Sequence, residues 1–278
     1  AAASGGAVGS VTPTPAPSPL QAQVKARLTG RTLDGSGLPV TLALTATGSA
    51  QHVQISEARA QAGDASAQAT LDARAEPAGW RLKGMGRLAQ FDPRPWWRGT
   101  SASAWRRGPH RLNASLDLNL LWRGLAAPVA AAPAAASEAD LPLWAERALA
   151  ALDGDANAQI QDSLVAGVPV SGSLRLQRSP QGSTVDAQVD LAGNRLTAQG
   201  RRGALAAADQ WRLQWQASDL ATLAPLGRLA GESWPALAAY WPDAGALSGE
   251  ISASGRWPAW RTQGDVQAQG LRAGTLGL

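Results

Sequence analysis

An internal duplication is the first constraint on the fold of this chain. Residues 37–44 (GLPVTLAL) recur as residues 167–174 (GVPVSGSL), 130 positions later. Residues 80–82 (WRL) recur unchanged as residues 211–213. A long, nearly fixed period is typical of an array of repeated units rather than of one closed globule. Each unit is longer than the common solenoid repeats, so we expect it to hold several strands.

Within each copy, apolar and polar residues alternate along the chain. Ala22, Val24 and Leu28 alternate with Gln21 and Lys25, for example. A period of two is that of a β-strand with one dry and one wet face. About six or seven such segments follow one another in each copy, joined by short turns, which predicts antiparallel meanders. We therefore expect a mainly all-β protein with one or two short helical interruptions.

Shifts in composition divide the chain into five segments. Asp219 has the side chain of a helix N-cap, and residues 143–152 have the spacing of a short helix. The last residues stop in mid-pattern, so we expect a piece of a longer protein, open at both ends. The segments are a flexible Ala/Gly/Pro-rich stretch (1–20), a first β-repeat (21–124), an Ala/Pro-rich linker with the short helix (125–153), a second β-repeat with a helix near 219–240 (154–260), and the start of a third repeat (261–278).

Composition and charge argue against several classes of protein. The chain has no cysteine, which excludes disulfides and thiolate metal sites. Its net charge is +4, and the basic residues are scattered, so we expect no nucleic-acid partner. The N-terminal residues lack the pattern of a signal peptide, and no apolar run has transmembrane length.

No arrangement of side chains predicts catalysis, and we expect neither an enzyme nor a cofactor. The two imidazoles, His52 and His110, have no acidic or nucleophilic residue at a suggestive spacing, and both are interpreted as surface histidines. Asp153 and Asp155 flank Gly154, but no further calcium-ligand pattern follows, so this is interpreted as a turn and no metal site is expected.

The inward-facing positions are unusually small, and many are alanine. Alanine fills a core poorly, so a sheet with this lining leaves volume on its dry face. Acyl chains could fill that volume, which favours an open trough. The alternative is that alanine reflects a GC-rich genome and that the sheet closes on itself as a sandwich or solenoid.

Tryptophan and arginine are neighbours at many positions, as in Trp80-Arg81 and Trp211-Arg212. Adjacent residues of a strand point to opposite faces, so a dry tryptophan beside a wet arginine is the simplest interpretation. No strand pattern covers residues 91–108, and a second interpretation applies there. In that segment we expect aromatic and basic side chains at the rim of the trough, in contact with lipid headgroups. These are Trp96, Trp97, Trp105, Arg106 and Arg107.

The second copy carries a family resemblance. Residues 219–226 (DLATLAPL) are followed by 245–249 (GALSG) and 253–258 (ASGRWP), and 268–274 (AQGLRAG) completes the pattern. This resembles the TamB family of translocation and assembly module subunits, within the AsmA-like group. The resemblance is strongest from Trp211 to the end and is echoed between Trp80 and Trp122. The first copy departs from it, because Phe91-Asp92-Pro93 and extra tryptophans replace the helix.

The resemblance implies a Gram-negative periplasmic protein, tethered to the inner membrane by an N-terminal anchor missing here. It implies a long, curved antiparallel β-sheet forming a taco-like trough with an apolar interior. The partners implied are phospholipid acyl chains and, through a missing C-terminal region, a TamA-like outer-membrane β-barrel. The functions implied are phospholipid transport between the two membranes and outer-membrane protein (autotransporter) assembly.

We therefore expect a non-catalytic trough along which phospholipid slides. The alternative is a structural β-solenoid or adhesin-like stalk with a filled core. The residues expected to line the trough are Val40, Leu42, Leu44, Leu116, Leu118, Val168, Val170, Leu174, Leu176, Val189 and Leu213.

Overall fold

A computed structural model gives the fold of most of the chain. It describes residues 21–31, 37–97, 103–123, 151–233, 241–256, 259–273 and 276–277. The helix predicted over residues 143–152 lies almost wholly outside the described residues, and Leu152 itself begins a strand. The helical turns predicted between Pro235 and Tyr240 also lie outside them.

The prediction of a mainly β protein is confirmed, with a single antiparallel sheet that remains open. Each strand pairs with its neighbours in the sequence, so the strand order in the sheet follows the chain. The strands are β1 (Gln21–Arg31), β2 (Pro39–Ser49), β3 (His52–Ala62), β4 (Ala65–Glu76), β5 (Gly79–Phe91), β6 (Leu112–Trp122), β7 (Leu152–Val165), β8 (Val168–Ser179), β9 (Gly182–Leu191), β10 (Asn194–Gly203), β11 (Gln210–Ala217), β12 (Ala244–Ser254), β13 (Arg261–Ala273) and β14 (Leu276–Gly277).

In the described residues, two short α-helices and three 3₁₀ turns interrupt the sheet. The helices are α1 (Ala104–Arg107) and α2 (Ala224–Ser233). The 3₁₀ turn Leu220–Leu223 leads into α2, and the Asp219 side chain caps it by accepting a hydrogen bond from the Ala221 N–H at 3.1 Å, which confirms the predicted N-cap. The other 3₁₀ turns are Arg94–Trp96 and Ala206–Ala208.

The second copy repeats the strand order of the first. Strands β7–β12 correspond to β1–β6, and the helix-bearing excursion falls between the fifth and sixth strand of each copy. Because successive strands are antiparallel, both excursions leave the sheet at the same side. We call this side the helical rim; it carries α1 and α2. The opposite side, where β8 turns into β9 at residues 179–182, is called the turn rim.

Two β-bulges lie beside each other where the copies meet. Gln90 in β5 and Asp162 in β7 have positive φ values of 53° and 46°, which bulges allow but regular strands do not. Asn113 in β6 joins them: its Oδ1 accepts from the Gln90 N–H at 2.8 Å, and its Nδ2 donates to the Asp162 carbonyl at 2.8 Å. Bulges bend a strand and increase its twist, so they place a bend at the junction of the two copies.

Little of the chain is buried in the ordinary sense of a core. Among the described residues, no large side chain is less than 2 % exposed. The one buried apolar cluster, Val168 with Leu220 and Leu223, forms where the 3₁₀ turn before α2 meets the sheet at the helical rim. The filled core of a solenoid stalk is therefore not present in the described part of the chain.

Candidate functional site

Strand register separates the sheet into two chemically different faces. Leu42 pairs with Leu28 and Ala60, whereas its neighbour Thr41 pairs with Thr29 and Gln61. Following such pairs from β1 to β13 gives one apolar face and one polar face. The bulges shift the strand pairing locally, but the residues of the apolar face still pair with one another, and so do those of the polar face. All eleven residues predicted to line a trough lie on the apolar face.

Most of the apolar face is not covered by another layer of the described chain; the exception is its margin at the helical rim, where Val168 is 3 % exposed and packs under Leu220 and Leu223. Leu42, Leu116 and Leu174 are 43 %, 42 % and 44 % exposed, although a buried strand face would hold such side chains below a tenth. The large apolar residues of this face that are exposed run through both copies: Val24, Leu28, Leu42, Val53, Leu116, Trp122, Ile160, Leu174, Leu196, Trp211, Leu213, Ile251 and Val266.

Small side chains make part of the apolar face shallow. Ala58, Ala60 and Ala62 of β3 pair with three alanines of β4, so six alanines lie together. In β5, Gly84 and Gly86 pair with Leu118 and Leu116. The floor is therefore low in the first copy, between taller rows of leucine and valine in β2 and β6. A methylene chain can approach the backbone closely there.

The helical rim holds the predicted aromatic and basic residues, packed largely on one another. The Trp97 and Trp105 rings stack with centroids 5.3 Å apart, and Trp105 stacks on His110 at 5.6 Å. Arg106 donates from Nη2 to the Trp97 carbonyl at 2.7 Å. Trp96 and Trp97 remain 45 % and 36 % exposed. These two indoles and the exposed Arg107 are available to a ligand, whereas Trp105 and Arg106 are half-buried.

The interpretation of His110 as a surface residue is wrong. His110 is 6 % exposed, and its Nδ1 accepts a hydrogen bond from the Ala166 N–H at 3.1 Å. Burial lowers the pKa of the His110 imidazole below its ordinary value of 6.5, against a smaller opposing effect of Asp92. The ring is therefore a neutral packing element that fastens the segment before β6 to the β7–β8 turn. His52, in contrast, lies on the polar face, where its Nε2 is 3.0 Å from Asp72.

The interpretation of residues 153–155 as a turn is also wrong. Asp153, Gly154 and Asp155 lie within β7, opposite Leu121, Leu120 and Asn119 of β6. Gly154 has φ 125°, and a Cβ there would lie 2.0 Å from the Asn119 carbonyl oxygen. Glycine is therefore required by a close backbone approach rather than by a turn. Among the described residues, no three His, Asp or Glu side chains converge as a metal site would need.

The polar face carries ordered charge pairs. Arg74 donates from Nε to Asp72 Oδ1 at 2.8 Å, and Arg212 lies 2.7 Å from Glu250. Hydrogen bonds from Arg74 and then from His52 lower the pKa of Asp72 below 3.8. An open groove of about 1090 Å³ also lies on this face, between the polar side chains of β3–β7. None of the eleven predicted trough residues lines it.

Two arginines break the apolar pattern at the turn rim. The alternation Leu174, Leu176 ends in Arg178, and in β10 the series of Leu196, Ala198 and Gly200 ends in Arg202. Both arginines therefore lie on the apolar face, at its margin. The sequence carried this signal, because each arginine occupies a position where the alternation predicts an apolar residue.

Two long-range polar contacts were not predicted from the sequence. Asp209, 2 % exposed, is held by Arg256, 47 residues later. Glu232 in α2 accepts from the backbone and side chain at the start of α1. No local pattern marks either pair, since each depends on how distant excursions meet.

No described helix is both long enough and apolar enough to cross a lipid bilayer. Comparison with protein-family models, with curated proteins and with solved structures finds no match to this chain.

Proposed function

We propose that this chain is a non-catalytic, periplasm-spanning segment of a TamB-like protein, and that phospholipid acyl chains slide along its apolar face between the inner and outer membranes. The observation that carries the proposal is the continuity of that face. Exposed apolar side chains recur on this face from β1 to β13, and among the described residues only its margin at the helical rim, around Val168, lies under another element.

The free energy of hydration supports an apolar occupant. Each square ångström of apolar surface removed from water contributes about 25 cal/mol, and each buried methylene about 0.8 kcal/mol. Exposed apolar patches larger than a few hundred square ångströms are rare in proteins that act alone in water. A face made of residues such as Leu42, Leu116, Leu174 and Leu213 is of this kind, and hydrocarbon covers it without requiring a specific shape.

The dimensions of the sheet suit transport over a distance. Strands are about 4.8 Å apart, so the thirteen strands from β1 to β13 extend the face by roughly 60 Å along the hydrogen-bonding direction. The face crosses the junction of the copies, because β6 and β7 pair directly, with Leu116 opposite Ala158 and Leu118 opposite Ala156. A guest moving from one copy to the next therefore meets apolar side chains throughout.

The same arrangement supports a role in outer-membrane protein assembly, as the family resemblance implies. An outer-membrane strand also has one apolar face, which the exposed apolar face of this sheet can receive. The TamA-like outer-membrane partner, the inner-membrane tether and the periplasmic location belong to this proposal. The stalk hypothesis has less support, because its core would have to come from outside the described residues.

Site-specific photo-crosslinking tests the proposal. A photoreactive residue at Leu174 lies on the apolar face, whereas one at Arg175, its neighbour, lies on the polar face. With the chain expressed in the periplasm of a Gram-negative host, we expect phospholipid adducts at Leu174 and few at Arg175. Equal capture at both positions, or capture at neither, would contradict a lipid conduit. Adducts at Leu174 that contain only protein would indicate assembly of client strands instead.

A further inference from the structure

A cavity at the turn rim differs from the rest of the molecule in its charge. It is an open cavity of about 380 Å³ where the ends of β8, β9 and β10 come together, and it takes residues from both faces at the edge of the sheet. Arg178 and Arg202 of the apolar face and Arg201 of the polar face line it, with one carboxylate, Asp155, of the polar face. The other polar groups of the lining are the hydroxyls and amides of Gln177, Ser179, Gln181, Ser183 and Thr184. The cavity therefore has the charge and the hydrogen-bond donors that suit an anion.

Arg178 has an unusual position for a guanidinium. It lies on the apolar face, between Gly154 on one side and Ser183 on the other. Its Nε is buried and has no hydrogen-bond partner, and no carboxylate within the described part of the chain forms a salt bridge with it. A buried, unpaired donor is costly, and a bound acceptor would remove that cost. By comparison, Arg175 on the polar face of the same strand donates to Asn157 at 3.0 Å.

Arg202 approaches the same place from the other side. It pairs with Ser183, so Ser183 lies between the two arginines. One nearby carboxylate, Asp209, already accepts two hydrogen bonds from Arg256 and one from the Gly203 N–H. Those bonds, that of Arg256 first, lower the pKa of Asp209, and Arg202 adds a smaller effect through space. Asp209 therefore does not occupy the hydrogen-bond donors of Arg202.

The spacing of the arginines suits one shared anion. They lie on strands two apart in the sheet, which is about 10 Å between backbones, and their long side chains can converge over Ser183. The planar fork of a guanidinium matches two oxygens of a phosphate. Beside them on the same face lie Leu176 and Val185, and the Trp211 ring covers Gly200. A phosphate held here has a hydrocarbon surface next to it.

We infer that the turn-rim cavity binds the phosphate group of a lipid whose acyl chains lie on the apolar face, with Arg178 and Arg202 as its ligands. This inference rests on the proposed function, because it assigns the headgroup of the same guest. It gives the guest an orientation, with the phosphate at the turn rim and the chains directed toward the helical rim. Indoles near the turn rim, those of Trp122 and Trp211, suit the boundary between headgroup and hydrocarbon.

Two lipids that differ only in the phosphate test the inference. The purified full chain is titrated with phosphatidic acid and with diacylglycerol of identical, photoactivatable acyl chains, and adducts are counted by intact-protein mass spectrometry. For Arg178→Gln/Arg202→Gln we expect apparent affinity for phosphatidic acid to fall about tenfold, since charge-assisted hydrogen bonds are lost, and affinity for diacylglycerol to stay the same. The Arg178→Lys/Arg202→Lys chain keeps the positive charges but lacks the planar guanidinium groups. We expect its affinity for phosphatidic acid to lie between that of wild type and that of the double Gln variant.

The matched control is Arg175→Gln/Arg195→Gln, which removes the same charge from the polar face of the same two strands. It should change neither affinity by more than about twofold. Equal effects of the two double variants, or an equal loss of both lipids, would overturn the phosphate site and leave the conduit standing. If wild type captures neither lipid, both proposals fail. If inorganic phosphate binds as tightly as phosphatidic acid, the assignment to a lipid is overturned.

Discussion

Glu232 in α2 accepts a hydrogen bond from the Ser103 hydroxyl at 2.5 Å, although 129 residues separate the two. Its other carboxylate oxygen accepts from the N–H of Ala104, the first residue of α1. The helix-bearing excursions of the two copies are thereby joined at the helical rim. The contact links one repeat to the next outside the sheet.

This contact predicts a dependence of stability on pH. The hydrogen bonds from Ala104 and then Ser103 lower the pKa of Glu232 below its ordinary value of 4.5. A group whose pKa is lower in the folded state stabilises the fold above its unfolded pKa and stops doing so as pH falls through the folded value. Between about pH 6 and about pH 3, wild type should therefore lose more Tm than Glu232→Gln does.

Thermal melting followed by far-UV circular dichroism measures both chains across that range. Glu57→Gln is the control, because Glu57 lies in an exposed pair with Arg59 at 3.7 Å. We expect its pH profile to match that of wild type. Identical profiles for wild type and Glu232→Gln would mean that the carboxylate does not hold the excursions together.

A second prediction concerns the turn rim, where Asp209 fastens two connections. Arg256 donates to its two oxygens at 2.7 and 3.0 Å, and the Gly203 N–H donates at 2.9 Å. Asp209→Asn keeps the shape but loses the charge and one acceptor. Because the pair lies at a rim rather than in a core, we expect a loss of about 1–2 kcal/mol in the free energy of unfolding.

Urea unfolding measures this loss. Asp265→Asn, on the exposed strand β13, is the control and should change stability by less than about 0.5 kcal/mol. An Asp209→Asn chain as stable as the control would show that Arg256 contributes to the solubility of the rim and not to its fold.

Alternation predicted the sheet well because one rule governs every strand. Val40, Leu116 and Val189 lie on one face since register keeps even-spaced residues together through each hairpin. The bulges at Gln90 and Asp162 could not be predicted, because no local pattern of residue types marks the position of an extra residue in a strand. His110 was misassigned for a related reason, since its burial depends on how an irregular segment folds back on the β7–β8 turn.

The sequence predicted which residues form the apolar face, but it did not predict how the residues at its two rims are arranged. An apolar alternation indicates which side chains share a face, but the sequence analysis did not single out Arg178 and Arg202 as exceptions to it, and only the register makes them neighbours of Ser183. The Trp97 and Trp105 pair shows the opposite case. The sequence predicted that both lie at a rim. Only the structure shows that their rings stack, with centroids 5.3 Å apart, and so cover much of each other's surface.

A third prediction uses two glycines of the apolar face. A Cβ on Gly172 would lie 2.6 Å from the Gln188 carbonyl oxygen, a backbone atom that cannot turn away. On Gly86 the nearest atom would be the Leu116 Cβ at 3.8 Å. Gly172→Ala should therefore destabilise the fold by about 1–3 kcal/mol. Gly86→Ala should be neutral or stabilise it by up to about 1 kcal/mol, because it restricts the unfolded chain. Equal urea midpoints for Gly172→Ala and Gly86→Ala would contradict the close approach of the β8 and β9 backbones at Gly172.

The last prediction separates residues that hold the fold from residues that receive a guest. Leu223, 8 % exposed, packs in the cluster with Val168 and Leu220, whereas Leu174 is 44 % exposed on the apolar face. The substitution Leu→Ala at 223 should cost about 2–4 kcal/mol in urea unfolding, since it empties a packed site. At 174 it should cost about 1 kcal/mol or less, since much of that side chain already meets water.

Lipid capture should show the opposite order. Leu174→Asp places a charge on the floor of the face and is expected to reduce crosslinking of diacylglycerol several-fold while leaving Tm within a few degrees of wild type. Leu223→Ala should leave capture per folded molecule unchanged, because Leu223 belongs to the 3₁₀ turn that precedes α2 and its side chain is buried against Val168. If Leu174→Asp destabilised the chain as much as Leu223→Ala is expected to do, Leu174 would belong to a closed core, and the face would not be free to carry a lipid.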